Sequence, residues 1–324
     1  MTLQGIIAIY RKEMEDHFSS IRFLLIAAVI VMVGVITASM VGMSIQEELK
    51  GSAKPDFLFL LLFTSTGKLF SFTQFIGLLG PLIGIILGFD AINRERSGRT
   101  LSKLVSQPIY RDSIINAKFL AGVTMIAIVM VSLVLIIAGL GVRLIGVVPG
   151  VDEIWRLVIY LVLSIVYISF WLGAAILFSV VFKSTATSAL ASLAIWIFLS
   201  FFVGLGGGFL ADAISPVNET ADVQQATEAF VRNESIQRAA SLLSPMTLYS
   251  DATSTILDPL RKTPRSFVLM GPLERLSLSR FQNPLPLVQS VVIVLPFVIS
   301  LIAITCVCFG ICYLIFMRQE VRST

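Results

Sequence analysis

Charge is what this chain has least of. Of 324 residues only 14% are Asp, Glu, Lys or Arg, while 56% are hydrophobic and the mean hydropathy is +0.91. A soluble domain is closer to about a quarter charged. A water-exposed globule of this size is therefore excluded, and the chain reads as an integral membrane protein. Its net charge is only +4, and the positive residues sit beside apolar stretches where anionic lipid headgroups stabilise them, so no nucleic-acid partner is expected. Histidine occurs once, at His17, which excludes a His/Cys metal constellation or a histidine-based catalytic centre. The three cysteines, Cys306, Cys308 and Cys312, all lie in the last apolar stretch. They read as small packing residues, and with none in a loop no structural disulfide is expected. No Asp, Glu, Lys or His falls in the middle of an apolar stretch, which argues against a proton- or sodium-coupled carrier. The phosphate-cradling pattern GxxxxGK[ST] is missing too: Gly67-Lys68 is followed by Leu69, and Leu62 stands where the first Gly would be.

Long apolar runs are what remains. A crossing helix needs about 20 mostly apolar residues, and six segments qualify: about 23–43, 69–89, 119–140, 157–182, 187–210 and 287–317, with Pro296 near the start of the last. The expected fold is an all-α integral membrane protein of six transmembrane helices. Residues 1–22 form an N-terminal helix, 23–210 hold spans one to five, 211–286 form a mainly helical outer loop, and 287–324 hold span six and a tail. The first run is too long for a signal-peptide core, so no cleavable signal is expected. Leu3, Ile6, Ile7, Tyr10 and Met14 recur at helical spacing, which suggests a helix lying along the membrane surface; the alternative is a plain extension of span one.

Basic residues orient the chain. The loop 90–118 carries Arg94, Arg96, Arg99, Lys103, Arg111 and Lys118, and short loops rich in Lys and Arg stay cytoplasmic. Arg11, Lys12 and Arg22 before span one, Lys183 after span four, and Arg318 and Arg322 after span six agree. Both termini are thus expected in the cytoplasm of a multi-pass cell-membrane protein. The outer short loops hold Lys50, Lys54, Lys68, Arg143 and Arg156, offset by Glu47, Glu48, Asp56, Asp152 and Glu153. In the long outer loop, residues 222–243 suit an amphipathic helix, and Asn218-Glu-Thr220 and Asn233-Glu-Ser235 match the N-glycosylation pattern.

Glycines mark two places. Gly77, Gly80, Gly84 and Gly88 form one stripe along span two. Small residues let a neighbouring backbone approach closely, so the stripe reads as helix packing within the subunit or as a seam beside a transport path. Gly204, Gly206, Gly207 and Gly208 near the end of span five weaken a regular helix, as a hinge, a re-entrant turn or a frayed end.

The basic loop resembles the ABC-2 type permeases, the membrane subunits of one group of ATP-driven transporters. The family pattern is an acidic residue, a Gly, Thr-Leu, a leucine-rich turn, Pro, Arg and Lys. It stands here as Glu95, Gly98, Thr100-Leu101, Leu104-Val105, Pro108, Arg111 and Lys118, with Arg99 inserted after the Gly. Tyr10-Arg11-Lys12-Glu13 and the run 243–249 (LSPMTLY) are similar to the family as well. The resemblance implies that residues 100–106 form a coupling helix that seats on a separate ATPase subunit. Leu101, Leu104 and Val105 would be its apolar face, Pro108 its end, and Arg111 and Lys118 lipid anchors or helix-end charges. This chain would then be no enzyme and hold no cofactor, with ATP and Mg on the partner subunit. A second permease copy would complete a homodimer, and transport would run as export. An extracytoplasmic partner would meet the outer loop. One branch of the family serves metal and sulfur cofactor maturation, for which Met32, Met40 and Met43 are the available residues. The rival readings are a membrane scaffold or sensor subunit and a membrane-embedded enzyme, for which no clustered catalytic groups are found.

Overall fold

A chain this apolar must satisfy its backbone polar groups internally, and a helix does so within each segment. The computed structural model describes residues 3–48, 57–64, 71–98, 111–215, 223–259 and 284–318, and among these every regular element is helical. Helix α1 (Leu3–Phe18) turns at Ser19-Ser20 into α2 (Ile21–Glu48), which is span one. A 3₁₀ turn (Leu58–Leu60) and α3 (Leu61–Thr64) precede α4 (Phe72–Gly88), span two, and the short α5 (Asn93–Ser97). Spans three and four are α6 (Arg111–Ile145) and α7 (Val151–Val181). Span five is built of α8 (Thr185–Ile197), a π-helical turn (Phe198–Phe202) and α9 (Val203–Ile214). Then come α10 (Val223–Ser241), α11 (Pro245–Leu257) and α12 (Leu287–Arg318), which is span six. Six of these stretches are long and apolar enough to cross a membrane, as expected.

Spans one, three, four and five run past the apolar runs that announce them, whereas span two stays within its own. Span three starts at Arg111, eight positions before Phe119, with the Asp112 carboxylate accepting from the Ser113 N–H at 2.8 Å. Ser71 and Gln74 cap span two reciprocally, the Gln74 N–H donating to Ser71 Oγ at 3.3 Å and the Ser71 N–H to Gln74 Oε1 at 3.1 Å. Ser244 and Pro245 begin α11 in the same way that N-caps and first-turn prolines do elsewhere.

Span four is the axis of the bundle and span five its periphery: 61% of the apolar window is buried in the first and 6% in the second. The glycine stripe of span two lies against span four. A Cβ on Gly84 would stand 2.6 Å from the Ile168 carbonyl oxygen and 2.8 Å from Leu172 N, and one on Gly88 would stand 2.8 Å from Ala175 Cβ. A Cβ on Gly80 would stand 3.2 Å from the Ile168 side chain, and one on Gly77 would stand 3.5 Å from the Tyr249 ring of α11. Tyr167 stacks on Tyr249 with ring centres 4.4 Å apart, and its hydroxyl donates to the Gly77 carbonyl at 2.7 Å.

Two segments differ from expectation. The glycines of span five do not break it: α9 runs through them, and the irregular turn falls before them at Phe198–Phe202. Glycine costs a helix about 1 kcal/mol, whereas an unpaired backbone group in hydrocarbon costs several, so the helix persists. The stretch before span two, expected as an exposed outer loop, is partly a buried plug. Leu58, Phe59, Leu60, Leu62 and Phe63 are all buried, and Phe63 packs edge-on against Phe72 and Tyr160.

Candidate functional site

The bundle has two ends. The loop end gathers α1, α5, the start of α6 and the close of α12, where Phe119 meets Phe309 with ring centres 4.6 Å apart. The cap end gathers α3, α11 and the starts of α7 and α12.

At the loop end, α1 packs along α6. Ile9 and Glu13 are buried, Ile6, Tyr10 and Met14 are half-buried, and the Tyr10 hydroxyl donates to Thr124 Oγ1 at 3.1 Å. Glu13 is directed at Lys118, whose side chain is only 4% exposed, and Lys118 Nζ donates to Glu13 Oε1 at 2.7 Å. The same ammonium lies 3.0 Å from Glu95 Oε1 on α5. Lys12 reaches the pair from the solvent side, 3.3 Å from Glu95 and 3.7 Å from Glu13. A lone buried ammonium would cost several kcal/mol, and two carboxylates supply the compensation here. Three separate stretches of sequence thus meet at one cation.

The segment carrying Glu95 is held on its other side by span four. Ser179 Oγ accepts from the Ile92 N–H at 2.9 Å and the Asn93 N–H at 3.2 Å, and Arg96 Nη1 donates to the Phe182 carbonyl at 3.4 Å. Arg22, at the start of span one, bonds Asp90 at 3.4 Å and lies over the Phe89 ring at 5.8 Å. A cavity of about 320 Å³ opens between these elements, with Lys12, His17, Asp90, Arg94 and Lys118 in its wall.

The electrostatics follow from that crowding. Burial works to raise the Glu13 pKa, but the charge and hydrogen bond of Lys118, helped by Lys12, outweigh it and hold the carboxyl below its usual value. His17 is pushed below its usual value by burial, with Lys118 adding and Glu13, Asp90 and Asp16 opposing. The cluster keeps Glu13 charged, and burial disfavours a charge on His17.

Of the residues singled out from sequence, Glu95 lies in the cluster. Gly98 closes α5, exposed, its N–H donating to the Arg94 carbonyl at 3.0 Å. Arg111 opens α6. Thr100, Leu101, Leu104, Val105 and Pro108 lie outside the described residues. The expectation for Lys118 is corrected: it is not a lipid anchor or a helix-end charge but the buried centre of the ion pairs. The signal was available in the sequence. Lys118 falls in the register of Ile114, Ile115, Ala121 and Met125, the stripe that α6 buries. A second correction concerns Glu153 and Arg156, expected in an outer loop: both are buried in the first turns of span four.

This geometry joins Glu13 of the N-terminal helix, Glu95 and Lys118, three of the residues that carried the family resemblance. No curated protein matches the chain in sequence. A family described as ABC-2 family transporter protein matches residues 7–321, nearly the whole length, and the chain belongs to that family.

Proposed function

We propose that this chain is the permease of an ABC exporter, driven by a separate ATPase subunit that docks on the 90–118 loop. Membership of the family makes it a membrane transport component and not itself a catalyst. The finer reading is supported by the meeting of Glu13 with Glu95 and Lys118, which lie near the two ends of that loop. A partner gripping residues 99–110 would pull directly on α5 and α6. The ion pairs would carry that pull to α1, and the Ser179 hydroxyl would carry it to span four. ATP and Mg belong to the partner in this scheme, as hydrolysis does. The loop end faces the cytoplasm with both termini, and a second copy of the chain supplies the other half of the path. The ligand-induced motion is a shift between two arrangements, each favoured in a different nucleotide state of the partner.

The test is co-purification with an ATPase subunit encoded beside this chain, in lipid nanodiscs. Leu101→Asp with Leu104→Asp removes the apolar face expected of the docking segment. The double variant should keep its yield and melting temperature while losing assembly and stimulated ATP hydrolysis. Normal assembly and hydrolysis with both substitutions in place would refute docking at this loop.

A further inference from the structure

The cap end holds a fully buried guanidinium that the coupling scheme does not use. Arg156 is 0% exposed, two turns into span four. Its Nε donates to Asp152 at 2.8 Å, one turn back on the same helix. Nη1 donates to the Ile256 carbonyl at 2.8 Å, at the close of α11, and to Ser290 Oγ at 3.2 Å, in the first turn of span six. Nη2 donates to the Leu285 carbonyl at 2.7 Å, just before span six begins. The Phe57 ring covers the guanidinium at 5.6 Å. Leu285 also donates its N–H to the Pro259 carbonyl at 2.8 Å, so the chain leaving α11 and the chain returning to α12 are tied to each other as well as to Arg156. Three residues before Arg156, Glu153 accepts from the Phe59 N–H at 3.1 Å and the Gly150 N–H at 2.8 Å.

A rigid fork with five donors can satisfy several acceptors at once, whereas an ammonium presents a point charge on a flexible stem. The acceptors here are backbone carbonyls of two other segments. Two backbone carbonyls and a hydroxyl converging on one guanidinium make a joint, not a surface ion pair.

We propose that Arg156 is a positioning residue for transport: it binds α11, the start of span six and span four into one body at the cap end, so that these three move together. The mechanical part of this statement rests on the geometry above; its relevance to transport rests on the permease reading. The experiment separates the two.

The first arm uses the full chain alone in phosphatidylcholine nanodiscs and reads backbone hydrogen exchange. Arg156→Gln should accelerate exchange at least about tenfold in residues 245–257 and 285–292, leaving 3–18 and 111–125 unchanged. Arg156→Lys should fail to restore protection, because one ammonium cannot bridge both carbonyls and the hydroxyl. Ser290→Ala, which folds with less risk, should give a smaller acceleration in the same two segments. Asp152→Asn, which removes only the half-exposed partner, should change nothing there. Unchanged exchange in Arg156→Gln, full rescue by Lys, or acceleration spread over the whole chain would each overturn the joint. The second arm uses the complex with the ATPase. Spin labels at Val151→Cys and Val288→Cys, in a chain whose three cysteines are Ser, report the distance between the starts of spans four and six. That distance should stay the same between nucleotide-free and vanadate-trapped states, and should broaden in Arg156→Gln. A distance that changes with nucleotide would overturn movement as one body. Failure to assemble with any ATPase would strike the permease reading and leave the first arm intact.

Discussion

Lys118, Glu13 and His17 share a space too small for independent titration. The folded His17 binds its proton less readily than the unfolded chain, whose histidine titrates at about 6.5. Between that value and the lowered one the unfolded state holds more protons, so stability falls as pH falls through this window. Glu13 adds a second, more acidic window: its contribution is complete above the ordinary carboxylate value and is lost as pH drops through its lowered one. Melting of the detergent-solubilised chain should therefore move to lower temperature as the pH falls below about 6.5, the ordinary histidine value. His17→Asn should flatten that decline. An equal decline in the variant would assign it to other groups. Beyond the register of Lys118 with the buried stripe of α6, none of this was legible from the sequence. A lone histidine in an N-terminal segment and a lysine at the foot of an apolar run look like ordinary solvated charges. What makes them otherwise is the docking of α1 on α6, a tertiary contact between residues more than a hundred positions apart.

Helices are where the sequence speaks most plainly. All six spans are found in the described residues, because hydropathy over about 20 residues is set by the bilayer and not by the neighbours. Their ends are less legible, since the first turns of spans three and four carry Arg111, Asp112, Asp152 and Glu153 and so fall outside the apolar count. The plug 57–63 was missed for a different reason: it is apolar but too short to cross, and only the shape of the cap end tells where it goes. The glycine stripe permits a sharper test. A methyl on Gly84 meets backbone atoms of span four that cannot step aside, whereas one on Gly77 meets the Tyr249 ring at ordinary van der Waals distance. Gly84→Ala should lower stability by about 1–3 kcal/mol. Gly77→Ala should be neutral or raise it by up to about 1 kcal/mol, the helix-propensity gain. Thermal melts should show a loss for Gly84→Ala and none for Gly77→Ala, and an unchanged melt of Gly84→Ala would mean that spans two and four do not approach as closely as described.

The molecule as a whole is a bundle with an ionic fastening at each end, one made of side chains on three elements and one made of a guanidinium and backbone carbonyls. The proposed orientation rests on the basic loop, and it is checkable directly. An impermeant amine reagent applied to intact cells should leave Lys103 unmodified and reach it only after the membrane is opened; modification from outside would invert the whole arrangement. Family and span number were readable from residues, while the cap end was not, because Arg156 reads from sequence as one more charge in a short loop. One dimension of the bundle has a mechanical corollary. Helix α6 is 35 residues long, about 52 Å at 1.5 Å per residue, against a hydrocarbon thickness of about 30 Å. It is pinned at Lys118, which divides it into arms of about 10 Å toward Arg111 and about 40 Å toward Ile145. A rod with its fulcrum so near one end magnifies: if it stays straight, a sideways step of about 1 Å at the short arm becomes about 4 Å at the tip of the long one.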